Sequence, residues 1–245
     1  MQSILSTCWR AIMEVLFPSC CVACGSKLLQ EEQGICSSCI ASIERTEHAT
    51  LSNNGIDMIF QERISQEKKK IRYERGAAFA FYNREQGQVL RSLIERGKFG
   101  LYPSPRIFYQ LGRVAASEYL ESALLEEIDL LVPVPLHPRR LRERGFNQAE
   151  YICKGLYDIT KIPIDTKHLL RIRNNSHQSR ANITERQENV KDLFAIHYPE
   201  EWKDKHILLV DDVLTSGSTL FECMKQTSAI RGCQVSVFVL GWAHK

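Results

Sequence analysis

A chain of 245 residues is long enough to bury one full core with a small appendage, and 44% hydrophobic with 25% charged residues are ordinary proportions for a folded globular protein. The net charge of +3 is too small to argue for a nucleic-acid partner by itself. No run of about 18 apolar residues occurs, which excludes a membrane-spanning helix.

In chain order, residues 3–16 place Ile4, Leu5, Cys8, Trp9, Ile12, Val15 and Leu16 at helical spacing and predict an amphipathic helix. It has no basic run before it, and Arg10 and Glu14 interrupt it, so it does not read as a signal peptide. The plain reading is a stripe packed on the protein's own surface; the sharper one is peripheral contact with a membrane surface or a partner. Without an export signal the chain is expected in the cytoplasm, and any membrane contact on the inner face.

Next come Cys21-x2-Cys24 and Cys36-x2-Cys39, separated by eleven residues. Two such knuckles can present four thiolates tetrahedrally to Zn²⁺, and Gly25 and Gly34 suit the tight turns around a metal. Four thiolates would close the coordination sphere, so the site reads as structural. Disulfides are the competing reading, disfavoured by the missing export signal. Cys20 would give an x3 spacing, and Cys8, Cys153, Cys223 and Cys233 read as small buried hydrophobes. Residues 1–45 thus form a helix and a zinc ribbon. Residues 46–75, polar and containing Asn53-Asn54-Gly55 and Lys68-Lys69-Lys70, read as a connector.

From residue 76 to 245, strands and helices alternate as in one α/β domain with an open, mostly parallel sheet flanked by helices. Strands are predicted over 77–82, 129–134 (stopped by Pro133 and Pro135), 192–196, 207–210 and 235–240. Helices are predicted over 88–95, 107–119, 146–157 and 220–230.

The stretch 207–219, Ile-Leu-Leu-Val-Asp-Asp-Val-Leu-Thr-Ser-Gly-Ser-Thr, carries the most chemistry. Its four leading apolar residues leave no solvent face and predict a central strand. The N–H groups of Thr215, Ser216, Gly217, Ser218 and Thr219 lie where a helix begins, a ready cradle for a phosphate. Asp211 and Asp212 stand at the strand's carboxyl end, where open α/β sheets bind ligands. Carboxylates beside a phosphate cradle suit ribose hydroxyls, so a ribose 5-phosphate satisfies both halves.

This stretch resembles the phosphoribosyl diphosphate (PRPP) signature of type I phosphoribosyltransferases. A second stretch, 131–148, sets a strand before a proline turn and then Arg139, Arg140, Arg142 and Arg144. Guanidinium forks match diphosphate oxygens well. From His137 to Lys191 twelve lysines and arginines oppose six acidic residues, a field that suits a polyphosphate or a nucleic-acid backbone equally. With Phe17-Pro18, Leu93-Ile94-x3-Lys98-Phe99, Arg144-Gly-Phe-Asn-Gln148, Arg171-x-Arg173, Gln178, Arg186 and Asn189-Val190, the chain is similar to ComF/GntX-type proteins, which join an amino-terminal zinc ribbon to a phosphoribosyltransferase domain. The 46–75 segment is not covered. Ser216 stands where Thr is frequent and Ala181 where Leu is common.

The resemblance implies a type I phosphoribosyltransferase fold and a set of roles. Asp211 and Asp212 would bind the ribose hydroxyls, as the residues central to catalysis, and 215–219 would hold the 5-phosphate. Lys98 would sit in the diphosphate loop. Residues 174–189 would be a mobile loop closing over PRPP, with Arg180 and Arg186 contacting the diphosphate alongside Arg139, Arg140 and Arg144. Mg²⁺ would bridge the diphosphate and ribose hydroxyls. Two functions follow: transfer of phosphoribose to a nitrogen acceptor that no motif identifies, or non-catalytic PRPP binding in natural competence. The second implies handling of incoming single-stranded DNA with a helicase and a recombination mediator. A zinc-ribbon interaction module that no longer binds PRPP is the third alternative.

Overall fold

The computed structural model describes residues 20–29, 32, 34–83, 87–99, 103–173 and 193–243. The expected helix over 3–16 with Cys8, the expected loop over 174–189, and Arg180 and Arg186 lie outside the described residues. The elements in order are α1 (Ser37–Ala41), α2 (Gly55–Ser65), β1 (Tyr73–Phe81), α3 (Gln88–Phe99), α4 (Pro105–Tyr119), β2 (Leu130–Pro133), α5 (Pro138–Arg144), α6 (Gln148–Thr160), β3 (Leu169–Arg171), β4 (Phe194–Ile196), β5 (His206–Leu214), α7 (Ser218–Thr227) and β6 (Gln234–Trp242).

Four strands form one sheet in the order β1-β6-β5-β2, every pair parallel. The α/β expectation holds, and the uninterrupted apolar runs of β5 and β6 have the reason given by their position. Successive side chains alternate across the sheet, and both faces are covered. Leu208, Val210, Phe238 and Leu240 pack with Leu93, Ile94, Phe108, Leu111 and Ile152 from α3, α4 and α6. Ile207, Leu209, Val235 and Val237 pack on the other face with Ile56 and Phe60 of α2 and Leu220 and Met224 of α7. The backbones of α4 and α6 come into contact, because Gly112 and Gly155 offer no Cβ: one on Gly155 would stand 2.2 Å from the Tyr109 carbonyl oxygen.

Several boundaries differ from the sequence reading. β5 does not stop at Val210 but continues through both aspartates to Leu214, since β6 runs alongside to Trp242 and keeps offering partners. β2 ends at Pro133, as the prolines imply; Pro133 itself still pairs with Val210 at the sheet's edge, where a missing N–H is tolerated. The strand predicted over 192–196 is a three-residue partner of β3 in a separate antiparallel ribbon. The helix predicted over 220–230 starts earlier, at Ser218, and ends at Thr227.

The segment 46–75 contains helix α2. Asn54 caps it by accepting from the Ile56 and Asp57 N–H groups, while Asp57 accepts from the Asn54 N–H in return. The same two residues fasten the helix to β1: Asn54 Nδ2 donates to the Gly76 carbonyl at 2.7 Å, and Asp57 accepts from the Gly76 N–H and the Tyr73 hydroxyl at 2.7 and 2.6 Å.

Candidate functional site

β5 carries Asp211 and Asp212 side by side, and strand alternation turns their side chains to opposite faces. Asp212, nearly buried at 8% exposure, meets α3: its carboxylate lies 2.5 Å from Lys98 Nζ. Lys98 therefore stands in the last turn of a helix and not in a loop as expected. Asp211 accepts from the Asp212 N–H at 2.8 Å. Burial and the Asp212 charge push its carboxyl up to about 7, against the pull of Lys98 and Arg171.

The arginine-rich turn is ordered as helix α5. His137 caps it through Nδ1, which accepts from the Arg139 N–H, and Gly145 ends it at φ +84. Arg144 lies half-buried with its guanidinium 5.0 Å from the Phe99 ring centroid. Burial lowers its pKa, the nearby Asp212 charge opposes that, and Arg140 adds to it. Arg171, at the end of β3, feels burial first, then Arg140, with Asp211 opposing. Its buried Nε has no hydrogen-bond partner among the described residues. Lys98 thus pairs with Asp212, Arg144 and Arg171 lie near Asp212 and Asp211, and Arg140 lies near both arginines, an excess of positive charge suited to a polyanion. Arg139 does not join them. It pairs with Glu143 at 2.9 Å, one turn along its own helix, with its side chain 69% exposed.

Past Leu214 the chain turns through Thr215 and Ser216 into α7. Gly217 stands at the helix start with φ +72, a left-handed conformation that suits glycine, and has no side chain to cap the helix. The N-cap itself therefore supplies no side-chain acceptor to the first turn; the Ser218 N–H donates weakly, at 3.5 Å, to the Ser216 hydroxyl. The Ser216 and Ser218 hydroxyls are 3.0 Å apart at the same turn. An open groove of about 630 Å³ runs beside it, between α2 and α7.

The Arg171-x-Arg173 pair in the sequence carries no sign of where Arg171 lies. A cation at the end of a short strand takes its meaning from Asp211, forty residues away in the chain.

The second constellation is the thiol cluster. The sulfurs of Cys21, Cys24, Cys36 and Cys39 all lie within 4.8 Å of one another and could hold a metal ion; Cys20 is not among them. Gly25 and Gly34 have φ of +76 and +81. The Cys36 N–H donates to the Cys21 sulfur at 3.3 Å. The Ser26 hydroxyl and N–H hold the Cys24 thiol down to about 6, whereas burial and the neighbouring thiols push Cys39 up. Four crowded thiols cannot all ionise without a cation between them, so this donor set fits a thiophilic dication. Arg96 of α3 donates to the Val22 and Ala23 carbonyls, which ties the first knuckle to the helix that bears Lys98. Cys153, Cys223 and Cys233 are buried, and no described cysteine is in a disulfide.

No protein-family model matches the chain. Competence protein F of Haemophilus influenzae (strain ATCC 51907 / DSM 11121 / KW20 / Rd) is 26% identical over 207 residues, covering 84% of this chain and 89% of that one. DNA utilization protein YhgH of Escherichia coli (strain K12) is 29% identical over 212 residues, covering 84% and 88%. The chain is a homologue of these proteins. Competence protein ComFC of Bacillus subtilis (strain 168) is 35% identical over 91 residues, 37% of this chain and 35% of that one. A solved structure of the allosteric regulatory enzyme of purine biosynthesis superposes with a TM-score of 0.35 at 14% identity, over 58% of this chain and 29% of that one, too distant a likeness to bear on function. The ComF resemblance read from the motifs is thus borne out over most of the chain. No helix among the described residues is long and apolar enough to cross a membrane.

Proposed function

We propose that this homologue of competence protein F binds PRPP at the carboxyl end of β5, as a ComF-like protein of the phosphoribosyltransferase family. One observation carries the reading: a central parallel strand bearing two aspartates leads into a helix whose N-cap, Gly217, has no side chain, with Lys98 on one carboxylate and Arg144 and Arg171 near the pair. In this reading the N–H groups of 215–219 take the 5-phosphate, and Asp211 and Asp212 take the ribose hydroxyls. Asp212 exchanges its ion pair with Lys98 for a hydroxyl, which frees the lysine for the diphosphate. Arg140, Arg144 and Arg171 add charge there, as would Arg180 and Arg186. Mg²⁺ would supply further neutralisation of the diphosphate, with Asp211 and Asp212 as the nearest carboxylates. For turnover, these residues would orient the ribose and stabilise the departing diphosphate while a nitrogen acceptor attacks C1.

Zinc is the metal proposed for Cys21, Cys24, Cys36 and Cys39, in a structural role supported by the closed set of four thiols. We place the protein in the cytoplasm, a reducing compartment in which such thiols stay available to a metal.

The test is calorimetric titration with PRPP, with and without Mg²⁺, on the wild type and Asp212→Asn. Micromolar binding by the wild type and at least a tenfold loss in the variant are expected, since a hydrogen bond to a charged acceptor is worth about 1.5–3 kcal/mol. Equal affinity of the two proteins overturns the reading. A second reading keeps the site but has it serve DNA handling in competence, with a helicase and a recombination mediator as partners. The names of the relatives favour it, and the exposed Arg139 side chain supplies a phosphate contact outside the pocket. Single-stranded DNA titrated with and without PRPP, over a salt series, separates DNA handling from PRPP chemistry alone.

A further inference from the structure

Helix α2 comes from a segment that none of the recognised motifs touches, yet it lies against the phosphate loop. Arg63, in its last turn, reaches across to donate from Nη2 to the Ser216 carbonyl oxygen at 2.6 Å. Its guanidinium lies 5.6 Å from the Phe221 ring centroid, half-buried, with the Glu62 and Glu222 charges nearby. On the same helix, Phe60 and Ile59 back the loop: a Cβ on Gly217 would stand 3.3 Å from the Phe60 ring.

We propose that Arg63 is a positioning residue for the phosphate cradle, fixing the Ser216–Gly217 peptide so that its N–H faces the ligand. This rests on the ribose 5-phosphate reading of the loop. A trans peptide is planar, with C=O and N–H pointing in opposite directions. Holding the Ser216 oxygen toward α2 therefore aims the Gly217 N–H away from α2, into the turn that opens α7. Such fixing is needed here, because a glycine at φ +72 lets the preceding peptide rotate at little cost. The capping box at Asn54 and the bonds from Asp57 to β1 anchor the helix, so the arginine acts from a rigid base. The guanidinium also places a positive charge at the loop.

The experiment titrates ribose 5-phosphate and, separately, Mg²⁺-diphosphate into the wild type, Arg63→Met and Arg63→Lys, with thermal melts of each. Methionine keeps the aliphatic packing on Phe221 and removes the donor; lysine keeps a charged donor. Arg63→Met is expected to bind ribose 5-phosphate about tenfold or more weakly, as for loss of a charge-assisted hydrogen bond, while diphosphate binding is unchanged and Arg63→Lys recovers most of the affinity. Unchanged ribose 5-phosphate affinity in Arg63→Met overturns the inference, as does an equal loss for both ligands, which marks a general structural role. If Arg63→Met does not fold, Arg63→Lys decides: near wild-type selectivity supports the role, and an equal loss for both ligands overturns it. A wild type that binds PRPP while Arg63→Met matches it leaves the site standing without this residue. A wild type that binds neither probe removes both.

Discussion

Asp211 is the residue whose chemistry depends most on its surroundings. Burial and the adjacent Asp212 charge raise its carboxyl from an ordinary 3.8 to about 7. Between those two values the folded protein retains a proton that the unfolded chain has released, so this group makes stability fall as pH rises through the window; below pH 3.8 its contribution is flat. Asp211→Asn removes the titration and keeps an oxygen to accept the Asp212 N–H. The variant should therefore melt above the wild type at pH 8 and converge with it near pH 4; a gap of the same size at both pH values would contradict the raised pKa. Ribose hydroxyls and Mg²⁺ prefer the ionised form, so ligand binding should release a proton near neutral pH. The strand, the Asp211–Asp212 pair and the turn over 215–219 were legible in the sequence because they are contiguous. The placement of Arg63 and Arg171 was not, since each meets a residue far away in the chain.

Among the elements, strands and helices with strong periodicity were readable, and their ends were not. The length of β5 depends on the length of β6 beside it, and Pro133 is tolerated because β2 lies at the sheet's edge. Helix α2 could have been found. Asn54 with Asp57 three residues later is an N-terminal capping signal, but Asn53-Asn54-Gly55 and the lysines that follow pull the reading toward a loop. The α4–α6 contact has an equally specific cause, the two glycines. Gly155→Ala would force a methyl group against the Tyr109 carbonyl, and neighbouring backbone cannot yield as a flexible side chain can. A loss of about 2–3 kcal/mol in urea unfolding is expected, in the upper range for overpacking. An unchanged midpoint would show that the helices part without cost.

At the scale of the whole molecule, the amino-terminal cluster is part of the main core. Cys21, Ile35, Cys36 and Ile43 pack in one apolar cluster with Leu90, Leu93 and Ile94 of α3. A metal held by the four thiols would therefore stabilise more than its own knuckles, and metal-linked folding energies of about 10–16 kcal/mol leave room for a large effect. Incubation with a strong chelator should lower the melting temperature by well over ten degrees, and added zinc should restore it; no change on chelation would count against a bound metal. The sequence by itself determined the α/β class, the four cysteines of the cluster and the Asp211–Thr219 stretch, because each is encoded in short-range spacing. Only the tertiary structure decided that Lys98 pairs with Asp212 from a helix and that Arg63 of α2 donates to the Ser216 carbonyl in the turn before α7. Those facts follow from how the sheet brings distant segments to one edge, and local periodicity carries no record of that.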